Sequence, residues 1–415
     1  MGNSLDIPVT EKETKHGPIN LISSGVGTET DSGGSARLEY GISCMQGWRT
    51  SMEDSYIVAN DSYSLFGKQA KNYGHNTSIP VSIFAICDGH GGQLAAKFVS
   101  REFCACLCRQ EEFQRYLANQ KGNDCVNKQK KKKKKKETKD KVSGFAKRTT
   151  NDDETEILLK QSLKKTHLEM DKLLMKEIKK NNPQKSSSMK DQTLNNDGQN
   201  RLNNNRDNQL QSELYDIWDT GTTATIILLT PTIILCSNVG DSRTILCRRA
   251  THTSDQIFDI VPLSCDHKPN IPQEMKRIIN AGGEVTNNGL INGELAVSRG
   301  IGDFRFKNRD KIMRYGDAKI LEDEFLSFMV SPIPDITICH RNALNDQFLV
   351  LASDGIWDVL SNDECANFIS QLFREGECNL GLLCEEVSHL TKLFLIHGYT
   401  IILLNIFHHQ YYQRF

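Results

Sequence analysis

The chain has 415 residues, of which 38% are hydrophobic and 25% are charged, and its formal charge is −1. This length permits one large core or two ordinary ones, and the near-neutral charge excludes a global bias toward nucleic acid or membranes. The thirteen cysteines lack the regular spacing of a disulfide framework, so we expect free thiols in a reducing, cytoplasmic environment.

The first 36 residues are rich in Gly, Ser and Thr and lack periodicity, which predicts a flexible tail. Gly2 follows the initiator Met and is a candidate for myristoylation, although Asp6 stands where Ser or Thr is usual. Acylation and an ordinary terminus both stay open. A single acyl chain would bind membranes only marginally without a second signal.

From Arg37 the pattern indicates strands. YGISCMQGW (40–48), the end of SMEDSYIVAND (51–61) and VSIFAICDG (81–89) are apolar runs bounded by turn residues. The following stretch, 91–117, begins with glycines and then carries apolar residues at helical spacing, which predicts a helix.

Two low-complexity stretches interrupt this pattern. Seven lysines run from Lys130 to Lys136, and Asn, Gln, Ser and Lys dominate 181–211. A helical period over 154–178 separates them, so we expect disordered insertions at 121–153 and 179–211 around one core helix. The lysine run is expected to be a solvated loop, with binding to anionic lipid or nucleic acid as open alternatives. Together with acylated Gly2 it would supply a second signal for peripheral membrane association.

The strand pattern resumes after Asp219. Three β-branched apolar runs fill 221–249, and the stretch 270–285 reads as a helix with Pro272 early and two glycines at its end. No run of about 20 apolar residues exists, so no transmembrane helix is expected. The nearest, 393–407, is short and interrupted by polar residues, and a buried strand pair fits it better.

Carboxylates recur where these strands end. Asp88-Gly89 and Asp354-Gly355 each close an apolar run, and further acidic residues lie at turns or one helical turn beyond: Glu53, Asp54, Asp241 and Asp358. Buried carboxylates need cations, and oxygen-only ligation suits Mg²⁺ or Mn²⁺. A carboxylate that bridges two ions would suit in-line displacement at phosphorus.

With these motifs the sequence resembles the metal-dependent protein phosphatases of the 2C type, which act on phosphoserine and phosphothreonine. Eight stretches carry the resemblance in the family's order over about residues 37–365. They are GWRTSMEDSY (47–56), CDGHGG (87–92), DTGTTATIILL (219–229), NVGDSRTILCR (238–248), DHKPNIPQEMKRIINAGGEV (266–285), NGELAVSRGIGDFRFK (292–307), VSPIPDI (330–336) and DQFLVLASDGIWDV (346–359).

The resemblance implies an α+β fold, a four-layer α-β-β-α sandwich with two antiparallel sheets flanked by helices and a binuclear metal cleft at one edge. The catalytic domain would span 37–407, with 408–415 as a tail. Two Mg²⁺ or Mn²⁺ ions are expected per subunit, with a weaker third. A monomer acting on phosphoserine and phosphothreonine proteins is expected, with no nucleic-acid partner.

The resemblance also assigns roles to site residues. Asp88 would bridge both ions, and the glycines after it would let the Gly89 carbonyl reach one of them. Asp354 would be a terminal ligand, and Glu53 and Asp54 would bind a metal or its waters. The weaker third ion is implied at the remaining two acidic positions, which are Asp241 and Asp358.

Catalytic roles follow in the same way. A metal-bound water would attack phosphorus directly, with no phosphoenzyme. Arg49 would clamp the phosphate oxygens through its planar fork, and His90 would protonate the leaving oxygen.

One departure from the family pattern bears on activity. The family ends with a strand that begins Asp-Asn-Met-Thr, whose Asp is a further ligand. The nearest match here is HGYTII, which starts at His397. Either His397 is a substitute ligand, which would weaken Mg²⁺ binding in particular, or the register of a divergent terminus means nothing; the second reading is preferred because HHQYYQRF lacks a globular pattern. The first hypothesis is therefore an active phosphatase, and the second is a weakened or inactive binding protein with the same fold.

Overall fold

The computed structural model describes residues 4–19, 38–60, 65–66, 81–120, 150–181, 218–250, 258–308, 312, 322–342, 344–391 and 398–406. Their architecture consists of two antiparallel sheets that face each other, with a small third sheet beside them. The strands in chain order are β1 Ser4–Ile19, β2 Leu38–Arg49, β3 Ser55–Ala59, β4 Ser82–Cys87, β5 Gly89–His90, β6 Gly221–Thr222, β7 Ala224–Leu229, β8 Ile233–Val239, β9 Arg243–Arg249, β10 Phe258–Pro262, β11 Ile301–Gly302, β12 Asp335–His340, β13 Asp346–Ala352 and β14 Tyr399–Asn405.

The strand order places the site-bearing strands centrally. The larger sheet runs β1-β2-β14-β13-β9-β10, the second runs β12-β8-β7-β4-β3, and the small one runs β11-β6-β5. Every pairing between these strands is antiparallel. The β7–β8 hairpin, followed by a short turn that takes the chain from β8 to β9 in the larger sheet, explains the three apolar runs that the sequence divides by short turns.

Helices cover the outer faces of the sheets. In chain order they are α1 Leu94–Arg109, α2 Thr150–Asn181, α3 Pro272–Asn280, α4 Glu322–Phe325, α5 Asp354–Trp357, α6 Asn362–Arg374 and α7 Leu380–Thr391. The helices α1 and α2 lie on the second sheet, whereas α6 and α7 lie on the larger one. Ser361 caps the N-terminus of α6 in a capping box with Glu364.

The alternation of side chains along each strand builds this four-layer order. In β13, Leu349 and Leu351 enter the core between the sheets, while Phe348 and Val350 pack under α6 and α7. Both faces of the central strands are therefore buried, and this is why their sequences read as continuous apolar runs. The predicted α-β-β-α sandwich is confirmed.

The predicted flexible tail is wrong for residues 4–19. These residues form β1, which pairs with β2 along the edge of the larger sheet. Thr14 also donates a hydrogen bond to Glu385 of α7 at 2.5 Å. An edge strand is held largely by backbone hydrogen bonds, so its mostly polar side chains left no apolar period to detect. Gly2 and residues 20–37 lie outside the described residues.

Other boundaries also differ from the sequence predictions. The helix α2 extends from Thr150 to Asn181, beyond the predicted 154–178, so it enters both predicted insertions. The run from Lys130 to Lys136 and most of 179–211 lie outside the described residues. Of the predicted strand pair at 393–407, the described part, 398–406, contains the single strand β14. No helix among the described residues is long and apolar enough to cross a membrane.

Candidate active site

The centre of the candidate site lies where β4 ends at Asp88. This residue is 6% exposed. Its backbone carbonyl accepts hydrogen bonds from the backbone of Thr223 at 2.9 Å and from the hydroxyl of Thr222 at 3.1 Å, and the Thr223 hydroxyl lies 3.1 Å from its backbone N–H. The next two residues, Gly89 and His90, form β5, which pairs with β6. Backbone hydrogen bonds to this neighbouring segment therefore hold the turn in place.

Close backbone packing explains two glycines of this turn. A Cβ on Gly89 would lie 2.4 Å from the Glu53 carbonyl oxygen, and a Cβ on Gly91, whose φ is +63°, would lie 2.5 Å from the Asp219 carbonyl oxygen. Any larger residue would force these segments apart. The glycines therefore have a steric role in addition to the metal approach that the sequence suggested.

Three buried or partly buried carboxylates from separate elements act on Asp88. Asp54 precedes β3, Asp241 lies in the turn between β8 and β9, and Asp354 begins α5. Burial, followed by the charges of Asp54, Asp354 and Asp241, raises the pKa of Asp88 well above its ordinary value. Burial likewise raises the pKa values of Asp54 and Asp241, with Asp354 adding to both. The site thus concentrates negative charge that it does not neutralise by itself.

The groups that touch these carboxylates partly compensate that charge. The hydroxyl of Thr400, in β14, donates a hydrogen bond to Asp54 Oδ2 at 2.8 Å, and the ammonium of Lys268 binds Asp241. The charge of Asp54 is, after burial, the largest influence that raises the pKa of Asp88. Sequence reasoning had assigned no role to Thr400 or Lys268.

Arg49 supplies a positive charge that acts on two members of the cluster. It ends β2, and its guanidinium lowers the pKa values of both Asp54 and Asp88 against the larger effect of burial. Glu53 accepts a hydrogen bond from Ser51 at 3.1 Å. Asp358 is the C-cap of α5, where its backbone N–H donates to the Asp354 carbonyl at 2.8 Å.

His90 has a partner that the sequence analysis missed. Its Nε2 lies 2.6 Å from Oδ1 of Asp303, which is fully buried and has a φ of +51°. A carboxylate only accepts, so Nε2 carries the proton. Burial alone would lower the pKa of His90, but the charge of Asp303 and its hydrogen bond raise it above the ordinary value. The only sequence signal was an Asp at the end of the apolar stretch GIGD.

The donor set fits a hard divalent cation, although it does not form a preorganised cage. No three His, Cys, Asp or Glu side chains converge as a metal site within the part of the chain that the structure describes. Asp54, Asp88, Asp241 and Asp354 nevertheless lie close enough for their charges to affect one another's pKa values. Two of these carboxylates have protein partners instead, Thr400 at Asp54 and Lys268 at Asp241. Oxygen ligands of this kind suit Mg²⁺ or Mn²⁺.

Residues 398–406 are built into the fold, contrary to the preferred sequence reading. The strand β14 lies between β2 and β13 with continuous register, so the match around HGYTII is structurally meaningful from Gly398 onward. The Gly398 carbonyl oxygen lies 2.3 Å from the position of a Cβ on Gly355, next to Asp354. His397 itself and residues 407–415 lie outside the described residues.

Comparison with known proteins defines the class to which this fold and site belong. The sequence profile of the protein phosphatase 2C family matches residues 38–158 and 140–391, and the chain belongs to this family. The crystal structure of serine-threonine phosphatase 2C from Toxoplasma gondii has the same fold, with a TM-score of 0.58 and 17% identity over 95% of this chain and 99% of that one.

Two curated relatives are more similar in sequence. Protein phosphatase ppm-1.A of Caenorhabditis elegans is 31% identical over 93% of this chain and 59% of its own length. Protein phosphatase 1A of Homo sapiens is 28% identical over 93% of this chain and 71% of its own length. The chain thus spans about three fifths of the length of the first of these relatives.

Proposed function

We propose that this chain is a protein phosphatase that hydrolyses phosphoserine and phosphothreonine. The observation that carries the proposal is the buried carboxylate cluster around Asp88, together with the charge of Arg49 that acts on it and the His90–Asp303 pair that follows it in the chain. Membership of the protein phosphatase 2C family supports the same conclusion. The fold alone would not, because one fold hosts many functions.

The metal ligands in this proposal come from the strand ends. Asp88, the Gly89 carbonyl and Asp354 would hold two divalent ions with help from Glu53 and Asp54. A weaker third ion would be held by the two remaining carboxylates, Asp241 and Asp358. When bound, Mg²⁺ or Mn²⁺ would supply an activated water and offset the negative charge of the phosphate.

Arg49 and His90 contribute the remaining chemistry. Arg49 already acts electrostatically on Asp54 and Asp88, so a phosphate drawn to this cluster would meet its planar fork of donors. Asp303 holds His90 Nε2, which leaves Nδ1 to donate a proton to the departing serine or threonine oxygen. The raised pKa of His90 favours the protonated form that this step requires.

The direct test is phosphate release from a phosphothreonine peptide, with Mg²⁺ and Mn²⁺ titrated separately and EDTA as the blank. Turnover that needs a metal and disappears in EDTA would support the proposal. Folded protein that binds the phosphopeptide but releases no phosphate with either metal would contradict it and favour the binding-protein alternative.

A further inference from the structure

A buried ion pair lies outside the site described above and has no part in the proposed chemistry. Asp171 in α2 and Lys307 are both completely buried, with 2.6 Å between Asp171 Oδ1 and Lys307 Nζ. Ionised side chains almost never occupy a fully buried position unless they are paired. This pair therefore calls for an explanation beyond packing.

The contacts of the pair lead to the segment that carries Asp303. Oδ1 of Asp171 also accepts a hydrogen bond from the backbone N–H of Gly302 at 2.9 Å, and Lys307 Nζ donates to the Gly300 carbonyl at 3.3 Å. The pair thus holds Gly300 and Gly302, just before Asp303, and joins them to Lys307, four residues after it. Because Asp171 belongs to α2, it ties this segment to the long helix that covers the second sheet.

The backbone of this segment needs such support. Gly302 and Asp303 have successive positive φ values of +94° and +51°, and Asp303 is not a glycine. A non-glycine residue stays in the left-handed region only when its surroundings hold it there. The Asp303 N–H donates a hydrogen bond to the Thr220 carbonyl at 2.9 Å. The N–H of Gly302, the residue before it, donates to the Asp171 carboxylate.

We propose that Asp171 is a positioning residue for His90, acting through Gly302 and Asp303. The inference rests on the proposed function, in which His90 protonates the leaving oxygen. Asp171 holds the Gly302 amide, and this keeps Asp303 in the conformation in which its carboxylate meets His90 Nε2. Loss of Asp171 would leave the imidazole in place without its orienting partner.

The test compares substrates that differ in their need for a general acid. A phosphothreonine peptide releases an alkoxide and needs protonation, whereas p-nitrophenyl phosphate releases a stable phenolate and does not. The main variant is Asp171→Leu combined with Lys307→Met, because replacing a whole buried pair by apolar residues of similar volume avoids an unpaired charge and tends to preserve the fold. Glu169→Gln is the matched control, since it removes a partly exposed ion pair with Lys172 on the same helix.

We expect kcat on the peptide to fall at least about tenfold in the double variant, within the range that general acid catalysis contributes. Turnover of p-nitrophenyl phosphate should change by less than about twofold, and Glu169→Gln should leave both activities unchanged. Asp303→Asn should show the same substrate-dependent pattern. Equal losses on both substrates, or no loss on the peptide, would overturn the proposal.

A second measurement does not depend on activity. In metal-free protein with ¹⁵N-labelled histidine, the Nε2 proton of His90 should resonate far downfield because of its short hydrogen bond to Asp303, and His90→Asn should remove that signal. The double variant should lose or shift the signal, and Glu169→Gln should keep it. A signal that is absent from the wild type, or unmoved in the double variant, would refute the positioning role. Inactive wild-type protein with the expected spectra would refute the phosphatase proposal alone.

Discussion

Glu274 in α3 offers a prediction whose magnitude follows from the structure. Its carboxylate accepts hydrogen bonds from Arg277 Nη1 at 2.5 Å, Ser298 Oγ at 2.8 Å and Arg299 Nη2 at 2.7 Å. Burial would raise the pKa of Glu274, but the hydrogen bonds from Arg299 and the charge of Arg277 outweigh it and lower the pKa from 4.5 to about 2. Burial lowers the pKa of Arg277 despite its contact with Glu274, whereas at Arg299 the contacts with Glu274 outweigh burial and raise the pKa.

The lowered pKa converts to stability through linkage. A difference of about 2.5 units at about 1.36 kcal/mol each gives about 3 kcal/mol for the ionised carboxylate. The side chain of Glu274 is 4% exposed, so solvent screening reduces this little. We therefore expect Glu274→Gln to lower the free energy of unfolding by about 3 kcal/mol at pH 7, in line with the cost of breaking a buried ion pair.

The effect should depend on pH in a defined direction. Because the folded-state pKa is depressed, the stabilisation is complete above the unfolded value of 4.5 and disappears as the pH falls toward about 2. Urea unfolding, followed by tryptophan fluorescence from pH 7 downward, should show the wild type and Glu274→Gln converging below pH 4.5. The control Glu284→Gln makes the same exchange at an exposed position and should stay within about 0.5 kcal/mol of the wild type. A loss below about 1 kcal/mol at pH 7, or a difference that does not shrink with acid, would refute the reasoning.

Three further predictions concern the site. Asp88→Asn should abolish metal-dependent phosphate release while the circular dichroism spectrum is retained; residual turnover near the wild-type rate would contradict the assignment of Asp88 to the metals. Gly89→Ala places a Cβ 2.4 Å from the Glu53 carbonyl oxygen, so it should cost about 1–3 kcal/mol of stability by overpacking, and an unchanged melting temperature would argue against the tight turn. His397→Asp would restore an anionic group where the family has one, so it should raise activity with Mg²⁺ relative to Mn²⁺ by about tenfold or more; an unchanged ratio would mean that His397 is not a substitute ligand.

Several features of the fold and site were accessible from the sequence because they depend on local patterns. The central strands β4, β7 and β13 were recognisable as apolar runs that end at turn residues, and the helix α3 was recognisable from its early proline and late glycines. The recurrence of Asp88, Asp241 and Asp354 at strand ends indicated a cation site, and the family resemblance implied that this site lies at one edge of the sandwich.

The contacts that make this arrangement specific could not be deduced in the same way. His90 and Asp303 are 213 positions apart, and no periodicity relates them. Asp171 lies within a helix whose sequence gives no sign that one buried carboxylate reaches Gly302 and Lys307. Polar pairs of this kind are set by the three-dimensional path of the backbone.

The strand β1 is an element of secondary structure that the sequence did not indicate and the tertiary structure revealed. Sequence by itself determined the family, the order of the main elements and the acidic residues of the candidate site, because apolar periods and short motifs record local geometry and chemistry. Only the tertiary structure decided that residues 4–19 pair with β2, that β14 occupies the middle of the larger sheet and that Asp303 holds His90. Backbone pairing acts between groups that every residue carries, so it leaves little trace in the order of side chains. A side-chain pair such as His90–Asp303 depends on the path of the backbone, which brings together residues far apart in the sequence.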